Sequence, residues 1–355
     1  MKPQPARLPL MALGMLALLA ALWAGLVRLG WHLPPLRPSL PIAHGPLMVS
    51  GFLGTVIALE RAVALRLRWT YIAPALTGLG ALLLIAGLSA TAGPLLLTLG
   101  SLGLVAVFGV IVRRQTALFT VTMGLGALAW LVGNALWLAG WSIPQVVLWW
   151  AGFLVLTIVG ERLELSRLLN LPQSVRMVFL GATGLFGAGL IVALFNLGAG
   201  TRLAGLGMVA LALWLGRYDI ARRTVRKAGL TRFIAVCLLA GYVWLGVSGV
   251  LALLQGGVMA GPRYDATLHA LFLGFVFSMI FGHAPVIFPG VMGVTIPFRP
   301  GFYGHLALLH ASLLLRVVGD VAGWLPGRQW GGLLNVVALL LFLANTARVT
   351  RGVRV

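Results

Sequence analysis

The sequence predicts an all-α integral membrane fold of twelve transmembrane helices in three four-helix repeats. Three observations carry this. Of the 355 residues, 60% are hydrophobic and only 9% charged, far outside the range of a soluble globular domain. Apolar runs of roughly 17 to 25 residues, the length that crosses about 30 Å of hydrocarbon, recur from end to end. An eleven-residue stretch in the second run is echoed in the sixth and the tenth, four runs apart each time.

The runs fall at approximately 8–28, 43–65, 71–90, 94–112, 117–140, 144–166, 177–195, 202–217, 231–255, 265–287, 302–323 and 330–348. The first follows Lys2 and Arg7 but lacks a small-x-small cleavage site, so it is read as a retained span rather than a signal peptide. No stretch between runs is long and polar enough for a soluble domain, which makes residues 1–355 a single polytopic domain. Its repeats cover about 1–115, 116–228 and 229–355.

The net charge of +20 would suggest nucleic acid in a soluble protein, but here its distribution decides. Placing the N-terminus inside puts 20 of the 26 Lys and Arg on the cytoplasmic face, including Arg61, Arg66, Arg68, Arg113, Arg114 and the run Arg217, Arg222, Arg223, Arg226, Lys227. Arg28, Arg37, Arg202, Arg263, Arg316 and Arg328 remain outside. That asymmetry is the positive-inside rule. The expected partner is therefore a bilayer of bacterial inner-membrane type and not nucleic acid, with both termini cytoplasmic. The single cysteine, Cys237, excludes a disulfide framework and a thiolate metal cluster.

The echo is specific. Residues 51–61 read GFLGTVIALER and residues 152–162 read GFLVLTIVGER, sharing Gly, Phe, Leu, Ile, Glu and Arg in register. Residues 274–284, GFVFSMIFGHA, keep Gly-Phe and Ile but place His283 where the others have Glu60 and Glu161. The plain reading of each glutamate is an interfacial pair with the adjacent Arg61 or Arg162.

All six histidines, His32, His44, His269, His283, His305 and His310, lie toward the two ends of the chain. An ionisable side chain inside a bilayer is a functional candidate that needs a partner. With the Gly-Phe pairs as a depth marker, His44 and His269 differ in level by about 3 Å on two different helices near the outer face. Two imidazoles from separate helices are what axial ligation of a haem iron requires. The nearby Gly45, Gly51 and Gly274 would admit a flat macrocycle. The plainer alternative is that each histidine bonds a carbonyl at a helix end. Haem propionates near the outer surface would call on Arg37, Arg263 and Arg316, the last of which also stands four residues before Asp320 on one helical face.

On the inner side, His283 precedes Pro285 and Pro289, which are expected to end or kink the helix. His305 and His310, five residues apart, are rotated by about 140° and cannot chelate one ion together. His283 could join either of them across two helices, and Glu60 or Glu161 would complete a mixed set suited to iron, copper or zinc.

Twelve spans in three arcs, with His44 at the outer end of span two and His269 on span ten, resembles subunit I of the haem-copper oxidases. In that family these positions hold the low-spin haem. No histidine stands on spans six or seven, where that family holds its copper, so an oxygen-reducing binuclear centre is not expected. The stretches HGPLMVSGF at 44–52 and LHALFLG at 268–274 are similar to the histidine-bearing segments of the NnrS family, haem- and copper-binding membrane proteins linked to nitric oxide stress. Here Ala43 and Gly45 flank a single His44, without that family's second histidine and glutamate, which marks a divergent relative. The resemblance implies b-type haem, copper or a second haem, and a quinol or other electron donor. Any turnover would be that of a membrane oxidoreductase. The competing expectation from a repeat and a Pro-broken helix is a secondary transporter of a small solute or ion.

Overall fold

The computed structural model describes residues 7–293 and 296–351. Among the described residues there is no strand. Twelve helices are long and apolar enough to cross a bilayer: α1 Leu8–Arg28, α2 His44–Leu65, α3 Arg68–Ala86, α4 Ala92–Arg114, α5 Leu118–Leu138, α6 Ile143–Leu165, α7 Gln173–Val192, α8 Leu197–Tyr218, α9 Gly229–Gln255, α10 Gly261–Met292, α11 Phe302–Val321 and α12 Leu325–Arg348. Helices answer the bilayer's demand that every backbone N–H and C=O be satisfied within its own segment.

Each expected span is present, and the shifts at its ends have local causes. Span eight begins at Leu197 rather than 202 because the Asn196 side chain caps it, accepting the Ala199 amide at 2.9 Å. Span seven begins at Gln173, directly after Pro172. The polar first turn of span seven, Gln173–Arg176, escapes a search for apolar runs. Of the end or kink expected in span ten at its prolines, the end is not found. The helix passes through Pro285 and Pro289 to Met292, although these two residues leave the carbonyls of Phe281 and Pro285 without their usual helical donors. It stops instead at Gly293, which adopts φ +71° and donates its amide to the Pro289 carbonyl at 2.9 Å.

Two spans are not uniformly α-helical. In α2 the stretch Leu47–Leu53 is π-helical, the Gly54 amide reaching back five residues to Val49. In α10 the stretch Ala270–Phe277 is π-helical too. In both, the Gly-Phe pair (Gly51-Phe52, Gly274-Phe275) occupies the fifth and sixth positions of the segment. The Gly152-Phe153 pair lies in the α-helix Ile143–Leu165.

The chain divides into two compact units, one of residues 1–153 with 286–295, the other of 154–285 with 296–355. The first is organised around a buried polar knot. The Trp130 indole donates to Ser50 Oγ at 2.9 Å, Ser50 donates to Asn134 Oδ1 at 3.0 Å, and the Trp150 indole donates to the same oxygen at 3.0 Å. Asn134 also donates to the Leu97 carbonyl, and Thr55 donates to Thr77 nearby. Ser50 belongs to the π segment of α2, so the knot ties that segment to α5 and the start of α6. Trp130 stacks on Phe153 with ring centroids 4.6 Å apart and covers Gly54, where a Cβ would overlap its ring.

The second unit is packed through small residues. A Cβ on Gly207 would stand 2.5 Å from the Phe186 backbone, and Gly189 and Gly200 lie equally close to the backbones of Ala204 and Ala193. Gly205 and Gly249 bring α8 against α9 in the same way. Between lipid-embedded helices such close backbone approach supplies the dispersion contact that water exclusion would supply elsewhere. Leucines such as Leu95, Leu99, Leu102, Leu125 and Leu128 are exposed, as lipid-facing side chains are.

Gly207→Ala is therefore expected to destabilise by about 1–3 kcal/mol through overpacking, whereas Gly184→Ala, with nothing within 4 Å of its Cβ position, should be near neutral. Thermal unfolding midpoints of the two variants in one detergent check this; equal midpoints would contradict the packing.

Candidate functional site

The histidines sort by which ring nitrogen is engaged. His44 opens α2, and its Nδ1 lies 2.8 Å from the Ala21 carbonyl of α1. Because a carbonyl only accepts, Nδ1 carries the proton and the lone pair resides on Nε2. The ring packs over Gly25, where a Cβ would stand 3.0 Å from its Cε1. His269 is held alike, its Nδ1 donating to the Asp265 carbonyl one turn earlier at 2.9 Å, with Asp265 Oδ1 at 3.3 Å. Each ring stands just before a π segment, three residues in α2 and one in α10. The carbonyl bond expected as the plain alternative is thus present for both.

His283 also donates through Nδ1, to the Met279 carbonyl at 2.8 Å, but its Nε2 faces the Arg162 guanidinium at 3.5 Å. His305 and His310 are held the opposite way round. Asn345 Nδ2 lies 3.2 Å from His305 Nδ1, and the Trp244 indole donates to His310 Nδ1 at 2.9 Å. An amide NH₂ and an indole N–H only donate, so in both rings the lone pair is on Nδ1 and already accepts a bond. His305 is 2% exposed, among Phe233, Phe281, Phe302 and Phe342. Trp244 reaches His310 because Gly274, inside the π segment of α10, leaves room for it. Among the described residues no three His, Cys, Asp or Glu side chains gather in a group able to hold a metal ion.

The arginines nominated for an anionic ligand are not equivalent. Arg37 and Arg263 are exposed. Arg316 is 6% exposed and forks onto Asp265, Nε to Oδ2 at 2.8 Å and Nη2 to Oδ1 at 2.9 Å. The expected partner one turn along, Asp320, is instead met by Arg328 at 3.0 Å. A bidentate fork to the facing helix fits the planar guanidinium better than an i,i+4 contact on its own helix. Asp265 is therefore the hub of this cluster, touching Arg316, His269 and, at 3.8 Å, Arg328.

The glutamates of the repeat also differ. Glu60 lies 3.8 Å from Arg61, whose guanidinium sits over the Phe108 ring. Glu161 is partly buried at the end of its helix. Its neighbour Arg162 turns to Asp219, Nε to Oδ2 and Nη2 to Oδ1, both at 2.9 Å. Both partners are buried, with Tyr242 buried beside them.

Asp265, Asp219, Trp244 and Asn345 were not singled out from the sequence. Asp265 carried a usable signal, four residues before His269 on one helical face. Asp219 did not, since it is surrounded by basic residues that suggest a solvated charge.

A family model described as "Domain of unknown function (DUF8744)" matches residues 7–351. No curated protein matches the chain.

Removing one member of the buried Arg162–Asp219 pair should cost about 3–5 kcal/mol, because the other charge is left without compensation. Asp219→Leu is thus expected to be clearly less stable than the double variant Arg162→Met/Asp219→Leu. Unfolding of both in the same detergent decides, and a double variant no more stable than the single one would refute the pairing.

Proposed function

The chain belongs to the DUF8744 family, whose description assigns no function, and we propose that it is a haem-binding integral membrane protein that transfers electrons or holds a diatomic gas such as nitric oxide. In this reading His44 and His269 supply the axial imidazoles of a b-type haem. The helices form three four-helix repeats in a membrane of bacterial inner-membrane type, with both termini cytoplasmic and a quinol or another donor supplying electrons.

The observation that carries the reading is how the two rings are held. Each donates Nδ1–H to a carbonyl at 2.8 or 2.9 Å and stands just before a π-helical segment with its Gly-Phe pair in the same register. Iron-ligating imidazoles are oriented in this way, one nitrogen fixed by a carbonyl or carboxylate and the other directed at the metal. π segments interrupt helices most often at functional positions. Bound between two imidazoles, a haem iron supplies one-electron redox chemistry.

Arg37 and Arg263 are the cations this reading assigns to the propionates, and Arg316 contributes while it is engaged by Asp265. A copper or second haem near His283, His305 and His310, with Glu60 or Glu161, gains no comparable support. Two of those rings accept bonds at Nδ1, and the third faces a guanidinium.

The purified protein in mild detergent, expressed with haem supplied, should show a Soret band that sharpens and shifts on dithionite reduction. His44→Ala and His269→Ala should each abolish or convert the same six-coordinate spectrum. A wild-type protein without a Soret band sinks the reading, and unequal effects of the two replacements break the shared ligation. Metal analysis of His283→Ala and His310→Ala, compared with wild type, tests the inner site.

A further inference from the structure

We propose that residues 217–232, the connection between α8 and α9 with the adjoining helix ends, form a binding platform for the phosphate groups of anionic phospholipids. Arg217, Arg222, Arg223, Arg226, Lys227 and Arg232 are all exposed there. None has an ion-pair partner among the described residues. In sequence the run appears partly neutralised by Asp219. In the structure it is not. Both carboxylate oxygens of Asp219 are taken by Arg162, and Oδ1 also accepts the Ala221 amide at 2.7 Å. The one acid of the stretch is withdrawn from the surface, and the cations around it are left uncompensated.

The same buried pair gives the platform its shape. By holding the Ala221 amide it starts the short helix Ala221–Thr224, which carries Arg222 and Arg223. Arg222 Nη1 donates to the Arg217 carbonyl at 3.0 Å, and the Arg217 guanidinium lies over the Tyr218 ring. Trp214 packs beside Tyr218 and donates its indole N–H to the Val175 carbonyl at 2.9 Å, which secures the chain beside the exposed Arg176. Aromatic rings next to cations at the ends of spans match the headgroup level of a bilayer.

At the other end of α8 and α9 the second unit treats its charges differently. Arg316 and Arg328 are matched there by Asp265 and Asp320. A cluster of four to eight cations immediately beside a span is attracted to anionic headgroups by the surface potential of the leaflet. A guanidinium can also take two phosphate oxygens at once. The occupant is therefore a phospholipid of net negative charge, its acyl chains running along the apolar sides of α8 and α9. This inference does not depend on haem.

The test uses the full chain in zwitterionic nanodiscs and in detergent. Native mass spectrometry and titration compare phosphatidylglycerol, diphosphatidylglycerol, phosphatidylcholine and inorganic phosphate as probes. Wild-type protein is expected to retain the two anionic lipids and not phosphatidylcholine, with binding weakened by salt. The variant R222Q/R223Q/R226Q/K227Q should lose affinity on the order of 1,000-fold. The matched variant R66Q/R68Q/R113Q/R114Q, which removes the same charge from exposed positions of the first unit, should keep most of it. Equal losses in the two variants, or equal retention of phosphatidylcholine, would overturn the proposal. So would displacement of the lipid by inorganic phosphate at equal concentration, which would assign the platform to free phosphate.

Discussion

In hydrocarbon a polar group without a partner has no water to turn to, and three interior groups of this protein, Asn134, Asp265 and Asp219, are each answered by several partners. Asn134 collects two donors and makes a third bond, fixing α5, α6 and the π segment of α2 about one amide. Asp265 accepts the Arg316 fork while its backbone carbonyl holds His269. Asp219 accepts Arg162 and the amide that starts a short helix. Buried pairs of this kind contribute little net stability, since desolvation offsets the attraction. They specify geometry instead, because no rearranged packing can leave one charge alone.

The same constraint gives the two outer histidines their orientation. A ring donating through Nδ1 to a carbonyl has its remaining nitrogen aimed in a fixed direction, whether the carbonyl belongs to a neighbouring helix, as for His44, or to the preceding turn, as for His269. The inner histidines differ: two accept a bond at Nδ1 and leave a buried Nε2 without a hydrogen-bond partner among the described residues, and the third faces a cation. Five residues of one type thus fall into chemically distinct groups. The pair just before the π segments, each ring held by a carbonyl at Nδ1, is the one on which the proposed function rests.

Surface charge follows a complementary logic. The aspartates of the second unit are each engaged by an arginine, so the α8–α9 connection keeps its exposed cations without its one acid. The burial of Asp219 against Arg162 takes the one acid of the α8–α9 connection out of reach of the exposed cations around it.

Much of the architecture was legible in the chain. Twelve spans, the first from residue 8 to residue 28 as expected, follow from hydropathy, because a segment that must satisfy its own backbone while facing lipid has to be long, apolar and helical. Two of the three Gly-Phe copies coincide with π segments and the third lies in an α-helix, so the unusual hydrogen bonding leaves no mark in residue type. Pro285 and Pro289 were misleading for a related reason: a lipid-embedded helix continues past a proline, because unwinding would free more backbone groups than the ring removes. What only the tertiary structure decided were the partners across helices. Asp265 rather than Asp320 for Arg316, Asp219 for Arg162 and Trp244 for His310 are choices of distance and direction between segments remote in sequence. Such choices are made by how the helices pack, and no spacing along one helix encodes them.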